Sequence, residues 1–322
     1  MNNVNINILL KKDNDIFKKN NFKGFLWLLI HVTLIFLAYF FLIYSTNLFF
    51  VIFALIFLGL FSSFTGLTGA AHEFYHNTVF KNKLLNQFFY KLLCFYHLIN
   101  FEYNSISHKM HHLYNSDDTK DSEKTIEKIS YLDLLFLLTI NIPQLLIRLK
   151  NIILNSFNIF PKSIVNNFII EATDSNRSRS KIKNCARFIM LTHIILICFN
   201  SYLGTINSYL IFFISPFIFN FIQNMVARSQ HYMLDHNSLD TFKNTRSIKM
   251  NKFFEFLNWN MNYHIEHHIN PAIPFYNLPK LNNFLKNKKL LKKINTNSFE
   301  KEGIFQFIIR IFKDNFLLKK FS

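Results

Sequence analysis

The chain has 322 residues, of which 50% are hydrophobic and 17% are charged, a lower share of charge than a soluble protein of this length usually shows. Its net charge of +17 is compatible with nucleic-acid binding, but a basic and apolar chain fits a membrane protein with a basic cytoplasmic face at least as well. We therefore expect membrane lipids, and no nucleic acid, as partners. The three cysteines, Cys94, Cys185 and Cys198, form no C-x-x-C pair and indicate no disulfide framework.

The first charge-poor stretch lies between Lys23 and Glu73, where no charged residue occurs. It is about twice the roughly 20 residues that a spanning helix needs, so it predicts two membrane-spanning helices, at residues 25–44 and 48–70. Five lysines precede the first of these helices, and none lies in the turn at residues 45–47. This asymmetry places the N-terminus in the cytoplasm and returns the second helix to the same side.

The second predicted helix ends in the sequence AHEFYH, which holds two histidines. His72 and His76 are four residues apart and therefore share one helical face. The same spacing forms the zinc site of metalloproteases, with the intervening glutamate as base, so an intramembrane metalloprotease is a remote alternative. If further metal ligands join the two histidines, Glu73 is instead expected to orient an imidazole from behind.

The middle of the chain carries a second histidine group between two apolar segments. The sequence SHKMHH offers His108, His111 and His112 on one helical face. The flanking segments, residues 84–101 and 131–149, are apolar but interrupted by polar and charged residues. They are predicted to be interfacial helices and not membrane spans.

A second uncharged stretch covers residues 188–227 and predicts a further pair of spanning helices, at residues 187–203 and 206–227. Two out-and-back pairs place both termini, all histidine groups and nearly every Lys and Arg on the cytoplasmic side. The expected fold is an all-α membrane protein of a single domain, residues 1–322, with four transmembrane helices and a cytoplasmic helical cap that carries the histidines. The lysine-rich C-terminal region includes an amphipathic segment, residues 304–318, suited to the membrane surface.

The third histidine group lies in the stretch NMNYHIEHHINPAIPFYNLPKL. It contributes His264, His267 and His268, whose spacing predicts that all three imidazoles point at one spot. Glu266 lies between these ligands and is expected to orient one of them from behind. Eight imidazoles from three groups exceed what one metal ion needs, since zinc usually takes four ligands. Two metal ions in one shared basket are the natural inference.

The three histidine groups, in this order, resemble the histidine boxes of the integral-membrane fatty acid desaturase and hydroxylase superfamily, and the resemblance runs over residues 67–281. The tail PAIPFYNLPKL after the third box is similar to that of acyl and sphingolipid desaturases. The resemblance implies two iron ions (Fe2+/Fe3+), O2 as co-substrate and a fatty acyl substrate carried on a lipid, coenzyme A or acyl-carrier protein. It also implies a separate electron donor of the ferredoxin or cytochrome b5 type.

The same resemblance points to further site residues. The segment RSQHYMLD resembles the family's Glu-His motif, which implies that His231 is a ninth ligand, although Gln230 replaces the usual glutamate. His236 is a weaker rival for that role. The family often carries asparagine at the position of Asn260, which implies a bond to a ligand or to metal-bound water, with a helix cap as the alternative.

These features predict a fatty acyl desaturase that introduces a C=C bond with O2, a di-iron centre and electrons from a separate donor. A hydroxylase or a carotenoid ketolase of the same superfamily is the alternative, because the boxes alone do not separate these reactions, although the tail favours desaturation. A membrane metal transporter is a remote rival, since transporter ligands usually lie near the bilayer midplane and these boxes lie in charged flanks. The Asn/Lys/Ile/Phe bias and the small size favour a bacterial inner membrane over the endoplasmic reticulum.

Overall fold

The computed structural model describes residues 14–115, 117, 119–123, 129–171, 175–235, 238, 240–288 and 303–314. Across these residues the chain is helical, with two isolated β-bridges and no strand, which confirms the all-α prediction. Short 3-10 turns lie at Asn14–Phe17, Ser215–Phe217 and Phe275–Asn277. The α-helices are α1 (Asn21–Tyr44), α2 (Leu48–Ser63), α3 (Ala70–Tyr75), α4 (Lys83–Tyr96), α5 (Phe101–Tyr114), α6 (Tyr131–Leu138), α7 (Ile142–Ser156), α8 (Ile164–Glu171), α9 (Ser175–Tyr202), α10 (Ile206–Ile214), α11 (Phe221–Ser229), α12 (Thr241–Asn244), α13 (Lys252–Leu257), α14 (His264–Ile269), α15 (Leu278–Asn287) and α16 (Ile304–Phe312).

Asparagine begins many of these helices, because its side-chain oxygen satisfies one of the backbone N–H groups that the first turn leaves unpaired. At α5, Asn100 Oδ1 accepts the N–H of Tyr103 at 3.2 Å. This cap starts the helix at Phe101 and so sets the rotational position of the histidines that follow. The other helices with such a cap are α1 (Asn20), α2 (Asn47), α4 (Asn82), α7 (Asn141) and α13 (Asn251).

In the described part of the chain, two helices are long and apolar enough to cross a membrane, Asp15–Tyr44 and Asn176–Tyr202. Each is followed by a shorter apolar helix, Leu48–Ser63 and Ile206–Phe217. Large apolar side chains cover the outer faces of the two long helices, an arrangement that suits contact with lipid. These side chains include Phe25, Leu29, Phe36 and Phe40 on α1, and Phe188, Leu191, Ile195 and Phe199 on α9.

The predicted helix at residues 48–70 is wrong over its last seven residues, because α2 ends at Ser63. A tight turn follows, and it depends on Gly69, where a Cβ would lie 2.1 Å from the carbonyl oxygen of Phe64. Helix α3 then begins at Ala70 as a separate helix. The first histidine box is therefore carried by its own short helix and not by the end of a spanning one.

The predicted helix at residues 206–227 is also interrupted, and the structure replaces it with α10, a 3-10 turn and α11. Pro216 explains the break, since proline lacks an N–H and its ring clashes with the preceding turn of a helix. The break brings the carbonyl group of Ile218 against α2. A Cβ on Gly59 would lie only 2.1 Å from that carbonyl oxygen, so this contact depends on glycine.

The segments predicted to be interfacial form helices as well. Residues 84–101 correspond largely to α4, and residues 131–149 divide between α6 and α7. The location of these helices at a membrane surface stays a prediction. Their exposed apolar side chains include Leu84, Phe88 and Leu92 on α4 and Leu146, Ile147 and Ile153 on α7.

The amphipathic segment at residues 304–318 forms α16 over the part that the structure describes, and residues 315–318 lie outside it. Its apolar face packs on the protein: Phe307 is fully buried in a cluster with Met225 and Val226 of α11. This face therefore belongs to a core, whereas Phe305 and Ile309 on the same helix are exposed, and a location at the membrane surface stays a prediction.

An aromatic core joins the first and third histidine boxes. Trp259 is fully buried, with its ring centroid 5.6 Å from that of Phe74 and 4.7 Å from that of Phe275. Trp27 of α1 donates its indole N–H to the carbonyl of Phe256 at 2.9 Å. The core therefore holds α3 against the segment around α14 and ties both to the first long helix.

Candidate metal centre

The structure gathers nine histidines into two groups, which we call the first and second histidine clusters. Within each cluster the candidate ligand atoms all lie within 4.8 Å of one another. The nine are the eight box histidines and His231, so every histidine predicted as a ligand is brought to this site. The first cluster contains His72, His76, His108, His112 and His267, and the second contains His111, His231, His264 and His268.

In the first cluster the Nε2 atoms converge. The Nε2 atom of His112 lies 3.2 Å from that of His76, 3.1 Å from that of His108 and 3.2 Å from that of His267. The Nε2 atom of His72 is buried and has no hydrogen-bond partner among the described residues. The cluster therefore presents several imidazole nitrogens to one small volume.

The second cluster has the same form and adjoins the first. The Nε2 atom of His264 lies 3.0 Å from that of His231 and 3.1 Å from that of His268. The rings of His112 and His268, one from each cluster, have centroids 4.7 Å apart. The two clusters are thus neighbours, as a shared basket requires.

The prediction that the three imidazoles of one box point at one spot is wrong, and helical geometry gives the reason. Residues at i and i+4 are about 40° apart around a helix, whereas i+3 and i+4 are about 100° apart. In the second box His108 and His112 enter the first cluster while His111 enters the second. The third box is divided in the opposite sense, as His264 and His268 share the second cluster and His267 joins the first.

Some of the outer ring nitrogens meet an acceptor, which fixes the tautomer of those rings. His231 Nδ1 lies 2.9 Å from the backbone carbonyl oxygen of Asn244, and a carbonyl can only accept. The proton of this imidazole is therefore on Nδ1, and Nε2 offers its lone pair to the cluster. An acceptor behind the ring in this way is the usual support of a metal-binding histidine.

Two carboxylates that the sequence analysis did not assign to the site act in the same way. His108 Nδ1 lies 2.9 Å from Glu123 Oε2, and His111 Nδ1 lies 3.0 Å from Asp121 Oδ2. Both carboxylates come from the loop just after α5. The sequence signal that could have found them is the acidic run that begins five residues after the second box.

Burial keeps most of these imidazoles neutral, which is the form that binds metal. It lowers the pKa of His72 to about 3, that of His108 to about 4 and that of His231 to about 3. Burial also lowers the pKa of His111, but its hydrogen bond with Asp121 and the charge of that carboxylate outweigh this, and the pKa lies above its usual value.

The carboxyl groups behind the clusters have opposite protonation preferences. Burial raises the pKa of Glu73 to about 8, and Thr78 donates its hydroxyl to this carboxyl at 2.8 Å. Burial also raises the pKa of Glu123, but the charge and hydrogen bond of His108 outweigh it and hold the pKa at about 2. Glu123 is therefore a charged acceptor.

The residues proposed to support the ligands have the following contacts. Glu73 Oε1 lies 3.2 Å from His72 Nδ1, as expected for a group that orients an imidazole. Glu266 instead accepts from Ser247 at 2.6 Å and Asn282 at 2.5 Å. Asn260 donates its side-chain amide to the carbonyl of Phe275 at 3.2 Å. The roles predicted for these three residues in metal binding stay predictions.

The segment that supplies His231 departs from the resemblance at one position. Gln230, which stands where the family usually has glutamate, donates its side-chain amide to the carbonyl of Met261 at 3.2 Å. It therefore braces the chain just before α14. The rival ligand, His236, lies outside the described residues.

The donor set fits metal ions. His108 and His231 carry their proton on Nδ1 and present only lone pairs at Nε2, and His72 Nε2 is buried without a partner. Close, buried lone pairs of neutral imidazoles need a cation between them, and imidazole suits iron, copper, zinc and nickel. Two clusters with five and four such side chains suit two ions.

A cavity of about 400 Å³ borders both clusters. His72 and His108 of the first cluster and His111, His231 and His264 of the second face it. The site is therefore reached by a space that is large enough for part of a substrate molecule.

Apolar helices of membrane length, a wholly helical described chain and a paired histidine site are typical of a membrane-associated protein with a site for two metal ions. The family model described as "Fatty acid desaturase" matches residues 45–296, which is most of the chain. The chain belongs to the fatty acid desaturase family, as the histidine boxes predicted. A search of curated proteins gives no match.

Proposed function

We propose that this protein is a membrane-bound fatty acyl desaturase that uses O2, two irons and electrons from a separate donor protein. The reaction removes two hydrogens from adjacent methylenes and forms a C=C bond. One O2, two electrons and two protons complete the balance, and two waters are released. The donor, of the ferredoxin or cytochrome b5 type, supplies the two electrons.

The observation that carries this proposal is the pair of histidine clusters beside one cavity, in a chain of the desaturase family. The nine clustered histidines would hold the two irons, which supply the O2 activation needed to break an unactivated C–H bond. Glu123, Asp121 and the Asn244 carbonyl keep three rings in the orientation that presents Nε2. The protein otherwise positions the acyl chain and excludes water.

The membrane arrangement is part of the proposal. We infer four crossings, made by the two long and the two shorter apolar helices, with both termini and the histidine clusters on the cytoplasmic side of a bacterial inner membrane. The substrate is an acyl group on a lipid, coenzyme A or acyl-carrier protein. A substrate that partitions into the bilayer would reach the site without leaving the membrane region.

The test is expression in a host without its own desaturase, followed by mass spectrometry of the fatty acids. We expect acyl chains with one more C=C bond and none with an added hydroxyl group. The matched control is His268→Ala, which removes one imidazole of the second cluster. A hydroxylated product would assign the chain to the hydroxylases of the superfamily, and no product from iron-loaded, correctly inserted protein would refute the proposal.

A further inference from the structure

A second cavity lies next to the one that borders the histidines. It has a volume of about 350 Å³ and is formed by α5, α7 and the segment that leads into α8. Leu67 lines both cavities, and Ser107, in the wall of the second, directly precedes His108 in the wall of the first. The second cavity therefore opens beside the metal centre.

We propose that this cavity binds an anionic group at the headgroup or carrier end of the acyl substrate, a phosphate or a carboxylate, through Arg148 and Lys162. The inference rests on the proposed function and specifies which end of the substrate lies where.

The charges in the wall are both positive. Arg148 and Lys162 line the cavity, and no described residue in its lining is acidic. Lys162 is exposed, and nothing in the described part of the chain pairs with it. The cavity thus has a positive potential that favours an anion.

Arg148 is held in place without a carboxylate. Its Nη1 donates to the carbonyl oxygen of His97 at 2.6 Å, and its guanidinium lies 5.0 Å from the ring centroid of Phe217. Burial lowers its pKa to about 10, so it remains charged at neutral pH. These contacts leave other guanidinium N–H groups for a ligand, and this planar group suits the two oxygens of a carboxylate or phosphate.

Buried amides in the wall also lack partners. Asn155 is 4% exposed, and its side chain makes no hydrogen bond with the described residues. Asn104 is 8% exposed and uses only its Oδ1, which accepts from Tyr90 at 2.9 Å, so its NH₂ group has no partner in the described chain. Both residues line the cavity, so an oxyanion bound there can accept hydrogen bonds from their amide groups.

The position of the cavity points to an acyl substrate and not to a free anion. An oxyanion bound by Arg148 would place its attached chain toward Leu67 and then along the histidine-lined cavity. The polar end would thereby fix how far the chain advances past the metal centre. Arg148 and Lys162 would be specificity-determining residues for the position of the new double bond.

The experiment compares ligands that differ only in charge, using full-length protein in nanodiscs of phosphatidylcholine. Radiolabelled palmitate is displaced by unlabelled palmitate, by 1-palmitoyl-lysophosphatidate or by hexadecanol, and the three displacement curves give relative affinities. We expect the oxyanion ligands to bind at least about tenfold more tightly than the alcohol, as suits one charged hydrogen bond. The tighter of the two oxyanions identifies carboxylate or phosphate as the natural group.

The variants are Arg148→Gln, Arg148→Lys and Lys162→Gln, with Lys150→Gln as the control for a charge lost from the same helix outside the cavity. Arg148→Gln should bring the affinity ratio close to one, Lys162→Gln should reduce it severalfold, and Arg148→Lys should preserve most of it. Lys162 has no hydrogen bond or ion pair with a described residue to lose, so its variant stays informative if Arg148→Gln fails to fold.

Equal affinity of the wild-type protein for palmitate and hexadecanol, or an unchanged ratio in folded Arg148→Gln and Lys162→Gln, would overturn the inference. Either result together with desaturated products in the expression host would leave the proposed function intact. No binding of any of the three ligands and no product would instead count against the proposed function itself.

Discussion

At the scale of single residues, the two ring nitrogens of a site imidazole have different surroundings. The inner Nε2 atoms converge at distances of 3.0–3.2 Å, as between His76 and His108. Several outer nitrogens meet an acceptor, and the clearest cases are the carboxylates Asp121 and Glu123. These acceptors set the rotation of the rings, so residues without contact to a metal ion decide where the lone pairs point.

The first prediction concerns Asp121. Asp121→Ala removes the acceptor behind His111, and the affinity for iron should fall about 10–100-fold, as is usual when such a partner is lost. Competition with a chelator measures this without any need for turnover. Asp121→Asn, whose amide oxygen can still accept, should retain part of the affinity.

Its control is Glu102→Ala, which removes a carboxylate from the start of α5 without touching a histidine. Equal iron affinity in Asp121→Ala and the wild type would show that the acceptor does not support metal binding.

The second prediction concerns His231, which the structure places in the second cluster. His231→Ala should reduce unsaturated product to background at matched expression, because the second cluster would keep only three imidazoles. His236→Ala should keep substantial activity. The readout is the fatty acid profile of a desaturase-null host. The opposite pattern would mean that the wrong histidine was assigned as the ninth ligand.

Much of the site could be predicted at this scale. The box histidines are close together in the chain, so the sequence alone predicts that those of one box lie on the same side of a helix. His111 and His267 each join a different cluster from the other two histidines of their box. Which cluster a histidine joins depends on where the other helices lie, and the local spacing carries no information about that. Asp121 and Glu123 sit in a loop, where no periodicity relates a side chain to a distant partner.

At the scale of helices, the uncharged stretches located the apolar helices but not their ends. The charge pattern does not register Pro216 or Gly69, and at these residues the predicted continuous helices are interrupted. The start of α1 at Asn21, four residues before the predicted start, follows from its capping residue Asn20, which the charge pattern does not register. Capping residues and helix-breaking residues thus determine where helices begin and end, which hydropathy alone does not predict.

The third prediction tests the contact between α2 and the break after α10. Gly59→Ala would place a Cβ 2.1 Å from the carbonyl oxygen of Ile218, and such overpacking should destabilise the protein by about 1–3 kcal/mol. Thermal unfolding in detergent measures the loss. The comparison is Ala54→Gly on the same helix, which opens space at a buried position and adds no clash.

Ala54→Gly should cost about 1 kcal/mol through helix propensity, with a small further loss of packing. If Gly59→Ala unfolds at the wild-type temperature, α2 and the carbonyl of Ile218 are not in the close contact described.

At the scale of the whole molecule, the apolar helices and the histidine clusters are separate parts of one fold. Helices α1 and α2 pack on each other, and the aromatic core around Trp259 links them to the box-bearing helices. Sequence hydropathy could predict the apolar part. It could not predict how the histidine-bearing segments fold together, because their contacts join residues far apart in the chain.

The fourth prediction concerns the orientation in the membrane. In a background with Cys198→Ser, which removes the exposed cysteine, cysteines placed at Thr46 and Thr205 should react with an impermeant label from outside the cell. A cysteine at Lys109, exposed on α5 between box histidines, should react only after the membrane is opened. Labelling at Lys109 in intact cells would place the clusters on the wrong side for the proposed topology.

The opposite division of the second and third boxes has a consequence for metal uptake. Helices α5 and α14 each contribute imidazoles to both clusters. Once an ion orders the rings of one cluster, it also fixes the two helices that carry most of the other, so the second ion meets ligands with less freedom to lose. Uptake should therefore be cooperative: at limiting iron the population should divide between empty and fully loaded molecules, and singly loaded ones should be scarce.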